Sequence, residues 1–163
     1  QAFVEKTLKT FGQLDVVFAN AGRGGEPGGF SGADHEVWKD MILTNIYGAG
    51  LTMQCCMAAL KESKGHLLLT GSAAGRATIP GSMYSATKWA VSAMGYGVRE
   101  ELRGSGIRVT LIEPGMVDTP FFDQPPEHAL KPDDVAQAFM YAVSQPAHVD
   151  VSEILVRPTP PLK

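Results

Sequence analysis

Short apolar runs alternate with longer helical patterns along nearly the whole chain, and this alternation constrains the fold more than any other feature. Each run is short and apolar enough to be a strand buried on both faces. The predicted strands cover residues 14–19, 66–70, 108–113 and 154–156. The predicted helices cover residues 2–11, 34–60, 82–102 and 131–144. This order predicts an α/β fold in which a doubly wound parallel sheet carries helices on both faces.

Tyr84 and Lys88 carry the clearest chemistry in the sequence. They stand four residues apart in a helical pattern, which places them side by side on one helix face. A neighbouring ammonium favours the phenolate, so it lowers the pKa of a tyrosine from its usual value of about 10. Such a tyrosine can take a proton from an alcohol or give one to a ketone. The same spacing also occurs by chance on solvated helix faces.

Two polar residues upstream have both a structural and a functional interpretation. Ser72 follows a predicted strand, but it does not form a hydrolase nucleophile elbow, because Thr70 and Ala74 stand where that elbow needs glycine. Ser72 is either a turn former or, together with Tyr84, a catalytic group. Asn45 lies on the apolar face of its helical pattern. It is either a structural amide that ties two backbone segments together or a part of the active site.

Five motifs follow one another in a characteristic order. They are Asn20-Ala21-Gly22, Asn45, Ser72, the stretch from Tyr84 to Lys88, and Pro114-Gly115. This order resembles the short-chain dehydrogenase/reductase family, with its NAG motif, active-site Asn and Ser, YxxxK and PG motif. The resemblance covers nearly the whole chain. It implies a Rossmann-like fold and an NAD(P)-dependent oxidoreductase that interconverts a secondary alcohol and a ketone.

The resemblance also implies a role for each site residue. Tyr84 would be the general acid/base, and Lys88 would lower its pKa and hold the nicotinamide ribose. Ser72 would orient the carbonyl and stabilise charge that develops on its oxygen. Asn45 would hold a water that connects Lys88 to solvent. The residues expected to line the cofactor, besides Tyr84 and Lys88, are Asn20, Ala21, Gly22, Pro114, Gly115, Val117 and Thr119, the last near the carboxamide.

The glycine-rich dinucleotide fingerprint is absent from the sequence. Gly22 and Gly24 are followed by Pro27 where the third glycine of GxGxxG should stand. The resemblance implies that residues 1–163 form a single, incomplete Rossmann domain, the C-terminal part only, and that a segment with three strands and the glycine turn precedes them. The residues that separate NAD from NADP would lie in that segment. The tail 146–158 resembles that of NADP-dependent 3-hydroxy acid (serine-type) dehydrogenases, which favours NADP over NAD.

Composition argues against several other classes of function. The net charge is -3, without a block of Lys or Arg, so we expect neither a nucleic-acid partner nor a membrane surface. The four histidines are scattered, and no metal site is expected. Cys55 and Cys56 are adjacent, which suits reduced thiols, and the expected location is cytoplasmic.

Two alternatives to the oxidoreductase function remain. One is a non-catalytic binding or scaffold protein, and the other is an extended-type epimerase or dehydratase.

Three further surfaces are predicted. The segment 120–131, with Phe121, Phe122, Pro125 and Pro126, is either a surface loop or a lid over the substrate. Met116, Ile79 and the two phenylalanines suggest an apolar pocket wall.

The helix 82–102 is expected to bury a face of small residues at Ala86, Ala90, Ala93 or Met94, and Gly97. In relatives the two long helices pair across a two-fold axis, which implies a homodimer or homotetramer.

Overall fold

Four parallel strands form one sheet in the computed structural model, which describes residues 1–25, 27–122, 124 and 126–159. The strands are β1 (Val16–Ala19), β2 (His66–Thr70), β3 (Arg108–Pro114) and β4 (Glu153–Val156), and they lie in the order β1-β2-β3-β4. Val16 is opposite His66, and His66 is opposite Arg108. All carboxyl ends therefore meet at one edge of the sheet. The predicted α/β Rossmann-like fold is confirmed.

Helices connect and follow the strands. They are α1 (Ala2–Phe11), α2 (Gly29–Gly32), α3 (His35–Ile42), α4 (Ala49–Ser63), α5 (Met83–Glu101) and α6 (Pro132–Ser144). A π-helical segment, Leu43–Gly48, joins α3 to α4, and a 3-10 turn, Ala73–Gly75, follows β2. None of the helices in the described part of the chain is long and apolar enough to cross a bilayer.

Two hydrophobic clusters lie on opposite faces of the sheet. One joins alternate strand residues such as Leu67 and Leu111 to buried residues of α1, α4 and α5. The other joins Leu68 and Ile112 to Ala142 of α6. Alternate residues of a strand point to opposite faces, so the two clusters show that helices cover both faces, as predicted. β1 is the strand at one end of this sheet, and its Phe18 ring packs on that of Phe139 in α6 with centroids 4.8 Å apart.

The region predicted as one helix over residues 34–60 is continuous but not uniform. Asp34 caps its start, because its side chain accepts a hydrogen bond from the backbone N–H of Glu36 at 2.9 Å. The π-helical segment then widens the helix by one residue around Asn45. The segment between β1 and α3 contains the single helical turn α2. Pro125 of the predicted loop or lid and residues 160–163 lie outside the described residues.

The predicted buried face of α5 is wrong. Ala86, Ala93 and Gly97 are exposed, whereas Ser85 and Ser92, among others, are buried. The buried hydroxyls have partners from other segments: Ser85 donates to the carbonyl oxygen of Ala74 at 2.6 Å, and Ser92 donates to Glu113 at 2.8 Å. A polar side chain can face the core when its hydrogen bonds are made there. A prediction from the positions of the apolar and small residues alone therefore chose the wrong face of this helix.

Candidate active site

The carboxyl ends of β1, β2 and β3 bring three of the predicted site segments together. The hydroxyl of Thr70, the last residue of β2, donates to the side-chain oxygen of Asn20 beyond β1 at 2.8 Å. The hydroxyl of Ser72 lies 3.5 Å from the carbonyl oxygen of Pro114, the last residue of β3. Thus Asn20, Ser72 and Pro114 occupy one edge of the sheet, where ligands of doubly wound sheets bind.

Lys88 projects from α5 to this edge. Its side chain is buried, with 4% of the residue exposed, and its amine donates to the carbonyl oxygen of Thr70 at 2.9 Å. Burial lowers the pKa of Lys88 to about 8, because the charged form loses hydration. Gly22 lies beside the amine: a β-carbon at this glycine would stand 3.4 Å from Nζ. The NAG motif and the YxxxK motif are therefore neighbours in space.

Tyr84 is half-buried one helical turn before Lys88. The Lys88 amine lies 5.7 Å from the centre of the Tyr84 ring. Burial raises the pKa of Tyr84, and a hydrogen bond from the Ser72 hydroxyl group opposes this shift. The direction is opposite to the one that the Tyr84–Lys88 spacing predicts. The cause is the loss of hydration of the phenolate, which outweighs the neighbouring groups.

Ser72 has the turn-forming role that one of its two sequence interpretations predicts, and it lies beside Tyr84. Its hydroxyl accepts a hydrogen bond from the backbone N–H of Ala74 at 3.1 Å and so caps the 3-10 turn after β2. The same hydroxyl interacts with the Tyr84 phenol. The turn is joined to α5 by the hydrogen bond from Ser85 to Ala74. The cap therefore fixes a hydroxyl next to the phenol.

Asn45 is buried in the π-helical segment, with 1% of its surface exposed. Its side-chain oxygen accepts from the N–H of Arg23 at 2.9 Å. Its amide nitrogen donates to the carbonyl oxygen of Arg23 at 3.1 Å and to the hydroxyl of Thr87 at 2.9 Å. These contacts match the structural interpretation, because the amide ties the segment after β1 to α5. Sequence reasoning missed Thr87, which lies directly before Lys88.

The remaining candidates for the cofactor have mainly backbone roles in the structure. Gly115 donates its N–H to Val156 at 2.7 Å, and a β-carbon there would stand 3.0 Å from Pro158, so packing against the tail accounts for this glycine. Val117 forms an isolated bridge with Leu130. The carbonyl oxygen of Thr119 accepts from the N–H of Phe122 at 3.2 Å. Ala21, next to Asn20, is exposed at the sheet edge.

An ion pair between the buried Glu113 and the partly exposed Arg76 joins the segments around the site, and sequence reasoning missed it. Glu113 has no exposed surface and stands directly before Pro114. Its carboxylate accepts from Arg76 Nε at 2.8 Å and from the hydroxyl of Ser92 at 2.8 Å. Arg76 also contacts Glu153 and Tyr96. The network ties the turn after Ser72 to α5, β3 and β4. The only sequence signal is a charged residue at the end of an apolar strand.

Phe121 covers one side of Tyr84. The two ring centres are 5.7 Å apart with an interplanar angle of 57°. A β-carbon at Gly24 would stand 3.2 Å from the Phe121 ring, so the ring also closes on the segment after β1. This placement agrees with the predicted apolar wall for Phe121. No cluster of three His, Cys, Asp or Glu side chains suited to a metal ion occurs in the residues that the structure describes.

Comparison of the sequence with protein families agrees with this geometry. The sequence model of the short chain dehydrogenase family matches residues 1–129. An uncharacterized oxidoreductase from Staphylococcus saprophyticus is 41% identical over 160 residues, which cover 95% of this chain and 68% of the relative. One from Staphylococcus aureus is 40% identical over 157 residues, which cover 92% of this chain and 67% of the relative.

Solved structures are also similar. One is an alcohol dehydrogenase from the archaeon Thermococcus sibiricus, complexed with 5-hydroxy-NADP. It is 31% identical to this chain with a TM-score of 0.88, and the match covers 99% of this chain and 71% of the dehydrogenase chain. The serine dehydrogenase from Escherichia coli is 30% identical with a TM-score of 0.83, covering 95% of this chain and 70% of its own.

Proposed function

The chain belongs to the short chain dehydrogenase family, as the order of its motifs predicted, and we propose that it acts in an NAD(P)-dependent oxidoreductase that interconverts a secondary alcohol and a ketone. One observation carries the proposal. A buried lysine amine is held by Thr70 one helical turn from Tyr84, whose phenol interacts with the Ser72 hydroxyl. A proton donor and a second hydroxyl thus converge at the edge where doubly wound sheets bind ligands.

In ketone reduction, Tyr84 gives its proton to the carbonyl oxygen. Its raised pKa keeps the phenol protonated at neutral pH, as a general acid requires. Ser72 donates a hydrogen bond to the same oxygen and stabilises the negative charge that develops there. Because the turn of Ser72 is capped and bonded to α5, the two hydroxyls keep a fixed separation during the reaction. In alcohol oxidation the same groups act in reverse.

The residues at the sheet edge fit a dinucleotide. Lys88 uses one of its three N–H donors on Thr70, so two remain for hydroxyl groups of a ribose. Gly22 leaves room beside this amine, since a β-carbon there would stand 3.4 Å from it. Asn20, Ala21, Pro114, Val117 and Thr119 would form the surrounding wall. The nicotinamide cofactor, when bound, supplies or accepts the hydride.

NADP is the preferred form in this proposal. The solved relative from Thermococcus sibiricus holds 5-hydroxy-NADP, and a further neighbour is a serine dehydrogenase complexed with NADP+. A 3-ketoacyl-(acyl-carrier-protein) reductase from Brucella melitensis, 27% identical with a TM-score of 0.86, is complexed with NADH, which keeps NAD as the alternative. The distinction is measurable by comparing the two reduced cofactors at equal concentration.

Proton supply to Tyr84 involves Lys88 and Asn45. A buried amine whose pKa is near 8 can pass a proton at physiological pH. Asn45 bonds to Arg23, next to Gly22, and to Thr87 of α5. It thus holds the segment that carries Gly22 beside the helix that carries the Lys88 amine. A water held at Asn45 would complete the path to solvent. Substitution of Asn45 should therefore affect the proton step more than substrate binding.

A homodimer or homotetramer is part of the proposal. The small residues Ala86, Ala93 and Gly97 form an exposed face of α5, beside exposed Trp89. Leu51 of α4 is also exposed. Small residues let two helices approach closely, so this face suits a second copy of the chain across a two-fold axis.

The test is cofactor-dependent turnover in the full-length polypeptide. Oxidation of NADPH and NADH is followed with a panel of ketones, for wild type, Tyr84→Phe and the matched control Tyr141→Phe, which changes an exposed tyrosine of α6. Tyr84→Phe should lose a factor of about 10² to 10⁴ in turnover while it keeps the fold. Near-normal turnover in Tyr84→Phe, with any substrate that the wild type accepts, would refute the assignment.

A further inference from the structure

The hydroxyl of Thr87 lies between two residues of the proposed active site. Thr87 belongs to α5, and only 1% of it is exposed. Its hydroxyl donates to the backbone carbonyl oxygen of Tyr84 at 2.8 Å. The same oxygen accepts from the side-chain amide of Asn45 at 2.9 Å. One hydroxyl therefore links the backbone of the proposed acid/base to the buried amide of the π-helical segment.

The partners determine the direction of these two hydrogen bonds. A carbonyl oxygen can only accept, so Thr87 gives its one proton to Tyr84 and its oxygen is left to accept from Asn45. The amide nitrogen of Asn45 therefore faces Thr87. Its side-chain oxygen faces the N–H of Arg23, which can only donate. Thr87 and Arg23 together fix which end of the Asn45 amide points to each neighbour.

The orientation of this amide affects the surroundings of Lys88. A β-carbon at Gly22 would stand 3.5 Å from the side-chain oxygen of Asn45 and 3.4 Å from Lys88 Nζ. The oxygen and the amine therefore border the same space at Gly22. A reversed amide would bring N–H donors, in place of an acceptor, to the space beside the amine.

The bond to Tyr84 acts on the helical turn that separates the acid/base from Lys88. In an α-helix the carbonyl of residue 84 also accepts the N–H of residue 88, so the Thr87 hydroxyl bonds to the peptide group that relates the two residues. A helical threonine commonly makes such a bond to an earlier carbonyl, and the bond alone does not stabilise the helix. Packing does not require the hydroxyl either, because valine has nearly the same shape.

From these contacts we propose that Thr87 is a positioning residue of the active site, whose hydroxyl orients the Asn45 amide and holds the backbone of Tyr84 against it. This inference rests on the proposed function. Because Thr87 is buried, it meets neither substrate nor cofactor. Its loss should therefore change kcat more than KM.

The experiment compares two substitutions of Thr87 in the full-length polypeptide, with acetophenone and methyl acetoacetate as ketones. Thr87→Val removes the hydroxyl and should lower kcat about 10- to 100-fold, as expected for a displaced catalytic group, with nearly unchanged KM for ketone and cofactor. Thr87→Ser keeps the hydroxyl and should recover most of the rate. If Thr87→Val does not fold, Thr87→Cys replaces it with the same expectation, because a thiol is a weak donor.

Thr110 provides the matched control. It has no exposed surface, donates to the carbonyl oxygen of Val151 at 2.6 Å and accepts from His66 at 2.7 Å, so it resembles Thr87 in burial and bonding. Its neighbour Leu111 packs in the cluster that includes α5, so Thr110 points to the opposite face of the sheet. Thr110→Val should lower the urea midpoint about as much as Thr87→Val and leave kcat unchanged. An equal loss of kcat in both variants would overturn the inference.

NMR of tyrosine labelled with ¹³C at Cζ gives a readout that needs no turnover. The Tyr84 signal is the one that disappears in Tyr84→Phe. It should shift in Thr87→Val, and it should stay in place in Thr87→Ser and Thr110→Val.

This readout separates failure of the inference from failure of the proposed function. If the wild type reduces no ketone of the panel, the proposed function is refuted. A shifted Tyr84 signal in Thr87→Val then still supports the positioning role, and an unmoved signal overturns it. If ketones are reduced, a near-normal kcat in Thr87→Val, or a rate in Thr87→Ser no higher than in Thr87→Val, overturns the inference alone.

Discussion

The amine of Lys88 donates a hydrogen bond to the carbonyl oxygen of Thr70 at 2.9 Å, and this contact ties α5 to the carboxyl end of β2. Ser72 stands two residues after Thr70 in the chain. The contact therefore also holds the Lys88 amine close to the turn that carries the Ser72 hydroxyl. Burial of the amine lowers its pKa to about 8. The ionisation of Lys88 therefore falls in a pH range where the enzyme can be assayed.

The first prediction is that kcat/KM for ketone reduction falls as the pH rises through about 8. Lys88 is charged below this pH and loses its proton above it. Tyr84 does not account for the fall, because burial raises its pKa above the usual 10.0 and keeps the phenol protonated. A pH–rate profile of the full-length enzyme checks this. Lys88→Arg, which stays charged, should show a lower but flatter profile, and a wild-type profile that is flat to about pH 9.5 would contradict the role of Lys88.

How far the sequence predicts this site depends on whether the determining contacts are local. Tyr84 and Lys88 lie one turn apart on α5 as predicted, because a helix alone sets their spacing, and Ser72 lies in the turn after β2, as its position behind an apolar run predicts. The contact between Asn45 and Thr87 joins residues 42 positions apart, and that between Arg76 and Glu113 spans 37. No local pattern encodes such pairs.

Two other outcomes have related causes. The prediction of the buried face of α5 was wrong because that face carries hydroxyl side chains as well as apolar ones. These hydroxyls are buried because they have hydrogen-bond partners on neighbouring segments. The direction of the Tyr84 pKa was also wrong, because spacing identifies a neighbouring charge but not the burial of the phenol.

A second prediction concerns the ion pair between the buried Glu113 and the partly exposed Arg76. Replacement of Glu113 by Ala leaves the Ser92 hydroxyl without its buried acceptor and removes one of the two carboxylates that contact Arg76, so we expect a loss of about 1–3 kcal/mol in the free energy of unfolding. The control is Glu36→Ala. It removes an exposed pair with Lys39 and should cost less than about 1 kcal/mol. Urea denaturation measures both, and equal losses would show that the Glu113–Arg76 pair contributes no more than a surface pair.

A third prediction concerns His66, which is buried between β1 and β3. Thr110 donates its hydroxyl proton to Val151, so His66 Nε2 must donate to Thr110 across 2.7 Å. The other nitrogen, Nδ1, has no hydrogen-bond partner among the described residues. Burial, helped by the nearby charge of Arg108 and opposed by Asp150, lowers the pKa of His66 from 6.5 to about 4. The imidazole is therefore neutral in the folded protein over this interval.

The sign of the effect on stability follows from proton uptake. Between pH 6.5 and about 4 the unfolded chain binds a proton at His66 and the folded chain does not, so stability falls as the pH falls, by about 3 kcal/mol in total. Carboxylates add their own dependence, so variants are compared. In urea denaturation at several pH values, His66→Gln should show a shallower decline than wild type. His35→Gln, at an exposed histidine, should follow the wild type, and a wild-type slope in His66→Gln would exclude His66 as the source.

The last prediction tests the exposed face of α5 as a contact between two copies of the chain. Gly97 has no atom within 4 Å of the position where a β-carbon would lie, so Gly97→Glu fits the protomer without strain. Glutamate also favours a helix over glycine by roughly 0.5–1 kcal/mol, so the helix itself should not weaken. Across a close two-fold contact, however, the substitution brings two like charges together in an apolar setting, and we expect light scattering to show a smaller assembly than wild type at micromolar concentration. Gly32→Glu is the control, because this glycine also has open space around it and belongs to α2, not to α5. A Gly97→Glu protein with the wild-type mass, or a wild type that is already a monomer, would place the exposed small residues of α5 outside any stable interface.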